Sequence, residues 1–321
     1  MKILRQPESY KELEGPVFLG AGFFDGVHLG HQMVLGESVR RAREEGGEAW
    51  VLTFDLHPLS VLAPSKAPLL LTTLEDRLSL FEKLGLDGVL LLPFTRQLAV
   101  QEPEHFVRML CGESSEGRSP LSEIRCGDNW RFGKRAAGTP QLLAHLGERY
   151  GFTVEIVSYA YYQDREISST RIREAVRTGQ MEEAETMLGH PFFIRDKVVR
   201  GRGEGGRILH CATANITPRP EGILPPCGVY AVTVETSGRL YPGVADLGFH
   251  PTFGGDTSET PTLETHLLDF HGDLYGECIS VSFLRRLREE RTFASPPELA
   301  DQIGKDVELA LEIFKGRKIS R

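Results

Sequence analysis

The sequence predicts two domains of different class: a doubly wound α/β domain on a parallel sheet, then a small antiparallel β-barrel with a C-terminal helix. Three observations predict it. Strand-like and helix-like segments alternate through the first half, the pattern of βαβ units. Beyond about residue 188 the pattern changes to short alternating strands separated by turns, as in all-β domains. The 321 residues exceed one ordinary hydrophobic core and suit two.

The elements follow in order. Pro16 to Gly20 is the first strand, and it leads into FDGVHLGH, Phe24 to His31. His31 to Glu45 reads as a helix stopped by Gly46-Gly47. Ala49 to Phe54 is a continuous apolar run, as expected of a strand buried on both faces. Leu74, Leu78, Phe81 and Leu84 keep helical spacing, with Thr73 as the N-cap. Val89 to Leu92 is the third strand and Ile124 to Gly127 leads the fourth into DNWRFG. Leu142 to Tyr150 is a helix, Thr153 to Tyr159 the fifth strand, and Ser169 to Met187 a helical stretch. A domain boundary follows at LGHPF, which gives domains of 1–187 and 188–321. Gly228 to Glu235 and Glu277 to Leu284 alternate as strands, TSG and GGD read as turns, and Pro297 to Phe314 is the final helix. Glu113 to Pro120 and Thr257 to Pro261 read as loops.

Composition narrows the function. Hydrophobic residues at 40% and charged residues at 26% are ordinary for a soluble globular protein. The net charge of −8 argues against nucleic acid or a membrane surface as the main partner. Cys111, Cys126, Cys211, Cys227 and Cys278 are scattered, with no CxxC, which fits reduced thiols in a cytoplasm. No apolar stretch approaches the roughly 18 residues of a membrane span, and no signal-peptide pattern opens the chain. A cytoplasmic location is expected; the sequence carries no signal of oligomeric state.

The chemistry is concentrated where strands end. In doubly wound sheets ligands bind at the carboxyl ends of the strands. Here those ends carry FDGVHLGH, TFDLHP (Thr53 to Pro58), GDNWRFG (Gly127 to Gly133) and, shortly after the fifth strand, ISSTRIR (Ile167 to Arg173). His28 and His31 lie three apart at a helix start, where side chains share a face and unsatisfied N–H groups favour anions. The pattern makes a cradle for phosphate oxygens. His57 reads equally as a ligand contact or a strand-end turn, and Trp130 as ligand stacking or core packing. GRGEGGR (201–207) admits a nucleotide loop or a plain surface loop. His210 and Cys211 have no second ligand pair at metal-binding spacing.

Taken in order, these motifs resemble the prokaryotic bifunctional FAD synthetases, which join an FMN adenylyltransferase to a riboflavin kinase. TAN (213–215), GVYAV (228–232), GVADLGFHPTF (243–253), LETHLLDF (263–270), GDLYG (272–276) and LREERTF (287–293) extend the resemblance through the second half. It implies a nucleotidyltransferase domain that transfers AMP from ATP to FMN, releasing pyrophosphate, and a barrel that phosphorylates riboflavin with ATP. Mg2+ would accompany ATP, and riboflavin, FMN and FAD would be substrates and products.

The resemblance also implies roles. His28, His31 and Arg171 would hold the ATP phosphates, with Ser168, Ser169 and Thr170 adding hydroxyls and helix-start N–H groups. Phe24, Asp25 and Gly26 belong to the same phosphate turn, and Asn129 and Arg131 would lie against nucleotide or flavin. In the barrel, Thr213 and Asn215 match the family's Mg2+ and phosphate contacts, and Glu264 its catalytic base. The chain departs from the family's usual run in LHCATAN (Leu209 to Asn215), where His210, Cys211 and Ala212 replace glycine, an aromatic residue and proline. Asp246 replaces an asparagine, and Phe23 stands where asparagine is frequent. These changes motivate a second reading, an adenylyltransferase whose barrel only binds flavin or assists assembly. A third, a nucleic-acid-linked nucleotidyltransferase, conflicts with the acidic charge.

Overall fold

The computed structural model describes residues 1–6, 13, 15–111, 119–199, 213–249 and 261–317. They form two compact units, Met1–Ser169 and Thr170–Arg321.

In the first unit the elements are β1 (Lys2–Leu4), β2 (Val17–Ala21), α1 (Leu29–Glu45), β3 (Glu48–Phe54), α2 (Pro58–Leu62), α3 (Leu74–Lys83) and β4 (Gly88–Leu92). They continue with α4 (Arg96–Ala99), α5 (Pro103–Cys111), β5 (Leu121–Gly127), α6 (Pro140–Tyr150) and β6 (Thr153–Val157). A short ribbon, β7 (Tyr161–Tyr162) and β8 (Arg165–Glu166), completes it. Six strands pair in the order β1-β4-β3-β2-β5-β6, and every pairing is parallel.

Alternation along the strands splits the core into two layers. Val17, Leu19, Ala21, Trp50, Leu52 and Leu90 pack with Phe106, Leu110, Leu143 and Leu146 of α5 and α6. Phe18, Ala49, Val51, Val89 and Leu91 pack with Val34, Leu35, Ala42 and Phe81 of α1 and α3. A Cβ on Gly20 would lie 2.6 Å from Leu35 Cδ2, so glycine sets how closely α1 approaches β2.

The structure corrects several boundaries. The fifth predicted strand ends at Val157 rather than Tyr159. The first helix begins at Leu29, so His28 is its N-cap and not a residue of its first turn. The stretch from Ser169 to Met187 is two helices, α7 (Ser169–Arg177) and α8 (Met181–Leu188), separated at Gly179, whose φ is 76°. The unpredicted β1 is a three-residue edge strand, too short to show a period. The predicted loop Glu113 to Pro120 falls mostly outside the described residues. So does the loop Thr257 to Pro261, of which only Pro261 is described, and the GGD turn lies wholly outside.

The second unit contains α8, β9 (Phe192–Lys197), β10 (Thr213–Ile216), β11 (Gly228–Thr236), β12 (Arg239–Gly248), β13 (Thr262–Leu267), β14 (Cys278–Arg288) and α9 (Pro296–Lys315). Its strands pair antiparallel in the order β10-β13-β12-β11-β14-β9. Among the described residues one bridge, Val199 N–H to Asn215 O at 2.8 Å, joins the two ends of that order. Ile216, Tyr230, Val232, Leu263, Leu267, Val281 and Phe283 fill the inner face. α9 covers Val229, Ala231 and Val244 on the outer face with Val307, Ala310, Ile313 and Phe314. Arg288 of β14 holds it through Asp306 at 2.9 Å.

The contact boundary at Ser169 precedes the sequence boundary at 187. Met181, Ala184, Met187 and Leu188 of α8 are buried, and the helix packs on β14 and β9 of the second unit.

One buried residue fixes the geometry at the strand ends. Arg77 is 1% exposed and donates to Phe23 O at 2.7 Å, Thr53 Oγ1 at 3.1 Å and Phe54 O at 3.0 Å. Its guanidinium lies 4.2 Å from the Phe23 ring centroid. Burial lowers its pKa to about 10, still far above neutrality, so it remains a cation. It ties the carboxyl ends of β2 and β3 together. Arg77→Met keeps volume but removes the side-chain donor of Phe54 O and leaves Phe23 O with Thr53 Oγ1 alone at 3.0 Å, and is expected to cost about 3–5 kcal/mol in urea denaturation.

Candidate active sites

The chain runs outward from β2 through β3 to β4, then returns to the other side of β2 for β5 and β6. Strand order therefore reverses between β2 and β5, which opens a crevice beyond their carboxyl ends. FDGVHLGH follows β2 and GDNWRFG follows β5. Both motifs occupy the crevice that this topology creates.

The turn after β2 is held in a conformation that its sequence resists. Phe24, Gly26 and Val27 have φ of 59°, 81° and 42°. A β-branched residue in the left-handed region stores strain of order 1–3 kcal/mol. Surrounding bonds hold it there. Val27 N–H donates to Phe24 O at 3.1 Å, and Gln32 Nε2 to Val27 O at 2.8 Å. Asp25, 3% exposed, accepts through Oδ1 from Leu71 N, Thr72 N and Thr72 Oγ1 at 3.0–3.1 Å. Thr72 Oγ1 in turn accepts from Gly26 N at 2.9 Å. Ser169 Oγ donates to Asp25 O at 3.0 Å, which fastens the start of α7 to the same turn.

These contacts show what Phe24, Asp25 and Gly26 do. They are buried, and they build the turn. Phe24 packs edge-on against His31 with centroids 5.1 Å apart. Asp25→Ala strands three buried donors and is expected to lower stability by about 2–4 kcal/mol, read as a fall in the denaturation midpoint.

The two histidines are stacked, with centroids 3.5 Å apart and planes 19° from parallel. His28 is 6% exposed and caps α1, its Nδ1 accepting from His31 N at 3.3 Å. An accepting Nδ1 leaves the proton of a neutral ring on Nε2, as a donor. Among the described residues the N–H groups of Leu29 and Gly30 have no protein acceptor. The first turn carries no acidic side chain, so the positive end of the helix is uncompensated. A Cβ on Gly30 would press on the His28 ring at 3.2 Å.

The remaining predicted residues divide into two groups. His57 caps α2, accepting from Leu59 N at 3.1 Å, and packs edge-on against Phe23 at 4.8 Å. Trp130 stacks on Phe132 at 4.8 Å and packs against the core. Arg131 is exposed, and its NH1 donates to Asp128 O and Trp130 O of its own turn. Asn129 is exposed beside it, Ser168 is half-buried and Thr170 is exposed. Arg171 belongs to the second unit and donates to Glu183 at 3.2 Å, across the α7–α8 pair.

In the barrel, register assembles the second site. Asn215 of β10 faces Glu264 of β13, which faces Asp246 of β12. Thr213 faces His266, two residues along the same strands and so on the same side. All five lie on the outer face, the side that α9 covers. Two carboxylates directly across a ladder repel one another, so the row favours a cation. Among the described residues no cluster of three or more His, Cys, Asp and Glu could hold a metal by itself. His210, Cys211, Ala212 and GRGEGGR lie outside the described residues.

Sequence reasoning missed Arg77, the Asp25–Thr72 knot and the Asp246–Glu264 pairing. Arg77 left a signal: it falls on the same helical stripe as Leu74, Phe81 and Leu84.

Comparisons with known proteins agree with this geometry. Residues 11–171 match the family model described as FAD synthetase, and residues 188–314 that of riboflavin kinase. The chain is 36% identical over 307 residues to a bifunctional riboflavin kinase/FMN adenylyltransferase of Bacillus subtilis, covering 95% of this chain and 94% of that one. It is 36% identical over 317 residues to the protein of the same description in Escherichia coli K12, covering 98% of both. A crystal structure described as a macrolide-efflux protein from Streptococcus pneumoniae superposes with a TM-score of 0.80 at 29% identity, covering 96% of this chain and 97% of that one. Among the described residues no helix is long and apolar enough to cross a membrane.

Proposed function

The chain belongs to the family of bifunctional riboflavin kinase/FMN adenylyltransferases, and from that premise we propose which of its residues carry each reaction. It is a transferase with two activities. One moves AMP from ATP to FMN, giving FAD and pyrophosphate; the other phosphorylates riboflavin to FMN. The second match sets aside the reading of the barrel as a binding module alone.

Adenylyl transfer belongs to the crevice between β2 and β5. An oxygen of the FMN phosphate attacks the α-phosphorus of ATP. A P–O bond forms to FMN, the bond to the β-phosphate oxygen breaks, and pyrophosphate leaves. The nucleophile is already ionised, so no base is required. Catalysis rests on positioning and on neutralising charge at the phosphates. His28 and His31 donate to phosphate oxygens, and the N–H groups of Leu29 and Gly30 add the positive helix end. By the SSTRIR motif, Ser168, Ser169, Thr170 and Arg171 are assigned to the phosphates of ATP. Asn129 and Arg131 line the far rim. Residues 1–187 are assigned to adenylyl transfer and 188–321 to the kinase.

In the barrel Glu264 takes the proton of the ribityl hydroxyl as that oxygen attacks the γ-phosphorus of ATP, and ADP leaves. The donor set beside it fits Mg2+: the Thr213 hydroxyl, the Asn215 amide oxygen and a carboxylate are hard oxygen ligands. Bound there with ATP, the ion would neutralise phosphate charge. The four described cysteines Cys111, Cys126, Cys227 and Cys278 are free thiols, and burial raises those of Cys111 and Cys126 to about 12. Unbridged cysteines suit a reducing cytoplasm, and ATP, FMN and riboflavin are the partners.

The observation that carries the adenylyl-transfer assignment is the capped, stacked histidine pair at the strand-order reversal. The test supplies FMN or riboflavin separately with Mg-ATP and separates the flavins chromatographically. FAD is expected from FMN, and both FMN and FAD from riboflavin. Riboflavin left unconverted beside FAD made from supplied FMN would reject the kinase half.

A further inference from the structure

The strained histidine turn is braced from one stretch of chain. Leu71 and Thr72 precede the Thr73 cap of α3, and Arg77 lies one turn into that helix. Leu71 N, Thr72 N and Thr72 Oγ1 donate to Asp25, and Gly26 N donates to Thr72 Oγ1. Arg77 NH1 donates to Phe23 O, one residue before the first positive φ of the turn. Residues 71–77 therefore grip the turn both at its entry and at its middle.

Arg77 acts where the sheet stops. The ladder between β2 and β3 ends with Gly22 N–H to Leu52 O at 3.1 Å. Beyond that bond two side chains take over. Thr53 Oγ1 donates to Phe23 O at 3.0 Å, and the Arg77 guanidinium reaches Phe23 O, Thr53 Oγ1 and Phe54 O together. Both carbonyls lie where the chain leaves a strand for a motif, Phe23 for FDGVHLGH and Phe54 for TFDLHP. One planar group thus sets the gap between the two motifs. The Phe23 ring extends its reach, with the guanidinium 4.2 Å from the ring centroid and His57 edge-on at 4.8 Å. At 1% exposure Arg77 is too buried to touch a substrate. A buried charge is a poor way to gain stability, because an apolar side chain of equal volume fills the space without the cost of desolvation.

We propose that Arg77 is a positioning residue for adenylyl transfer, which by bridging Phe23 O and Phe54 O holds the histidine turn where the phosphates react. An in-line displacement is steeply sensitive to placement, and a shift of about 1 Å costs about 100-fold in rate. Bound ATP is held by several donors at once and tolerates such a shift better than the transition state does, so the loss belongs to kcat and not to KM.

This inference rests on the adenylyl-transfer reading of the crevice. Its test is steady-state FAD synthesis by the full chain, with ATP and FMN varied separately and folding followed by thermal denaturation of the same preparations. Arg77→Met is expected to lower the kcat for FAD formation about 100-fold. The KM values for ATP and FMN and the rate of FMN formation from riboflavin are expected to stay at the parent values. Arg77→Lys is expected to recover kcat, because one ammonium carries three donors for the three acceptors. Thr53→Val, a milder change that serves if the methionine variant does not fold, is expected to lower kcat about ten-fold, the scale of one hydrogen bond. Parent kcat in a folded Arg77→Met variant overturns the proposal, and so does a loss carried by KM or shared equally by FMN formation. Where Arg77→Met does not fold, parent kcat in Thr53→Val overturns it. A folded Arg77→Lys variant that fails to recover kcat overturns it as well. Failure of the underlying reading is separable: it would show as FAD synthesis that survives His28→Ala.

Discussion

His28→Ala is expected to reduce FAD synthesis from FMN by about 10²–10³-fold, the scale of removing one preorganised donor at a reacting phosphate or oxyanion. FMN synthesis from riboflavin should continue at the parent rate. The size of the effect follows from three jobs on one side chain. His28 caps α1 through Nδ1, stacks on His31 at 3.5 Å, and presents Nε2 as a donor. Alanine removes the cap and the donor together and leaves His31 without its stacking partner. His28→Asn separates these contributions, because asparagine caps a helix well but places its amide elsewhere. It should recover the stability lost in His28→Ala, measured by thermal denaturation, while leaving most of the FAD-synthesis defect. Equal loss of both activities in either variant would show that the two reactions do not have separate sites.

Glu264→Gln is expected to produce the reverse pattern. FMN formation should fall by about 10²–10⁴-fold, the range of a positioned general base, while FAD formation from supplied FMN is retained. Glutamine keeps the shape of the side chain and its place opposite Asn215 and Asp246. It also removes one of two facing carboxylates, so the folded barrel should be no less stable. A loss of activity without a loss of stability, read from a urea titration of the same preparation, would identify a chemical role. Retained kinase activity would move the base elsewhere on the outer face.

Legibility from sequence followed the physics of each element. Ala49 to Phe54 and Val89 to Leu92 were readable because strands buried on both faces are nearly continuous apolar runs. Thr73 was readable as a cap because its hydroxyl and Asp76 form a reciprocal box encoded within four residues. β1 was not readable, since its place comes from pairing with β4, far along the chain. Gly179 did carry the signal that splits α7 from α8, and a helix pattern read through it joined two helices into one. The ribbon at 161–166 turns on Gln163 and Asp164, neither of them a strong turn residue at both positions, so no local rule marks it.

The site was legible in a similar, partial way. His28 and His31 stood out because spacing and flanking turn are local properties. Phe24, Asp25 and Gly26 belonged to the same motif, but their task depends on Leu71 and Thr72, which no local pattern connects to them. Arg77 shows the opposite case. A charge on an apolar helical stripe was visible, yet its meaning lay in the carbonyls of Phe23 and Phe54.

By itself the sequence determined the two fold classes and the histidine-bearing helix start, and its ordered motifs carried the resemblance that implies both reactions, because periodicity, caps and motifs are encoded over a few residues. Only the tertiary structure decided which residues share a site. The return of the chain from β4 to β5 created the crevice at β2, and antiparallel register set Asn215, Glu264 and Asp246 side by side on the barrel's outer face. The physical reason is that strand order and register are minimised over the whole core, through contacts between residues distant in the chain, and no short window of sequence contains them.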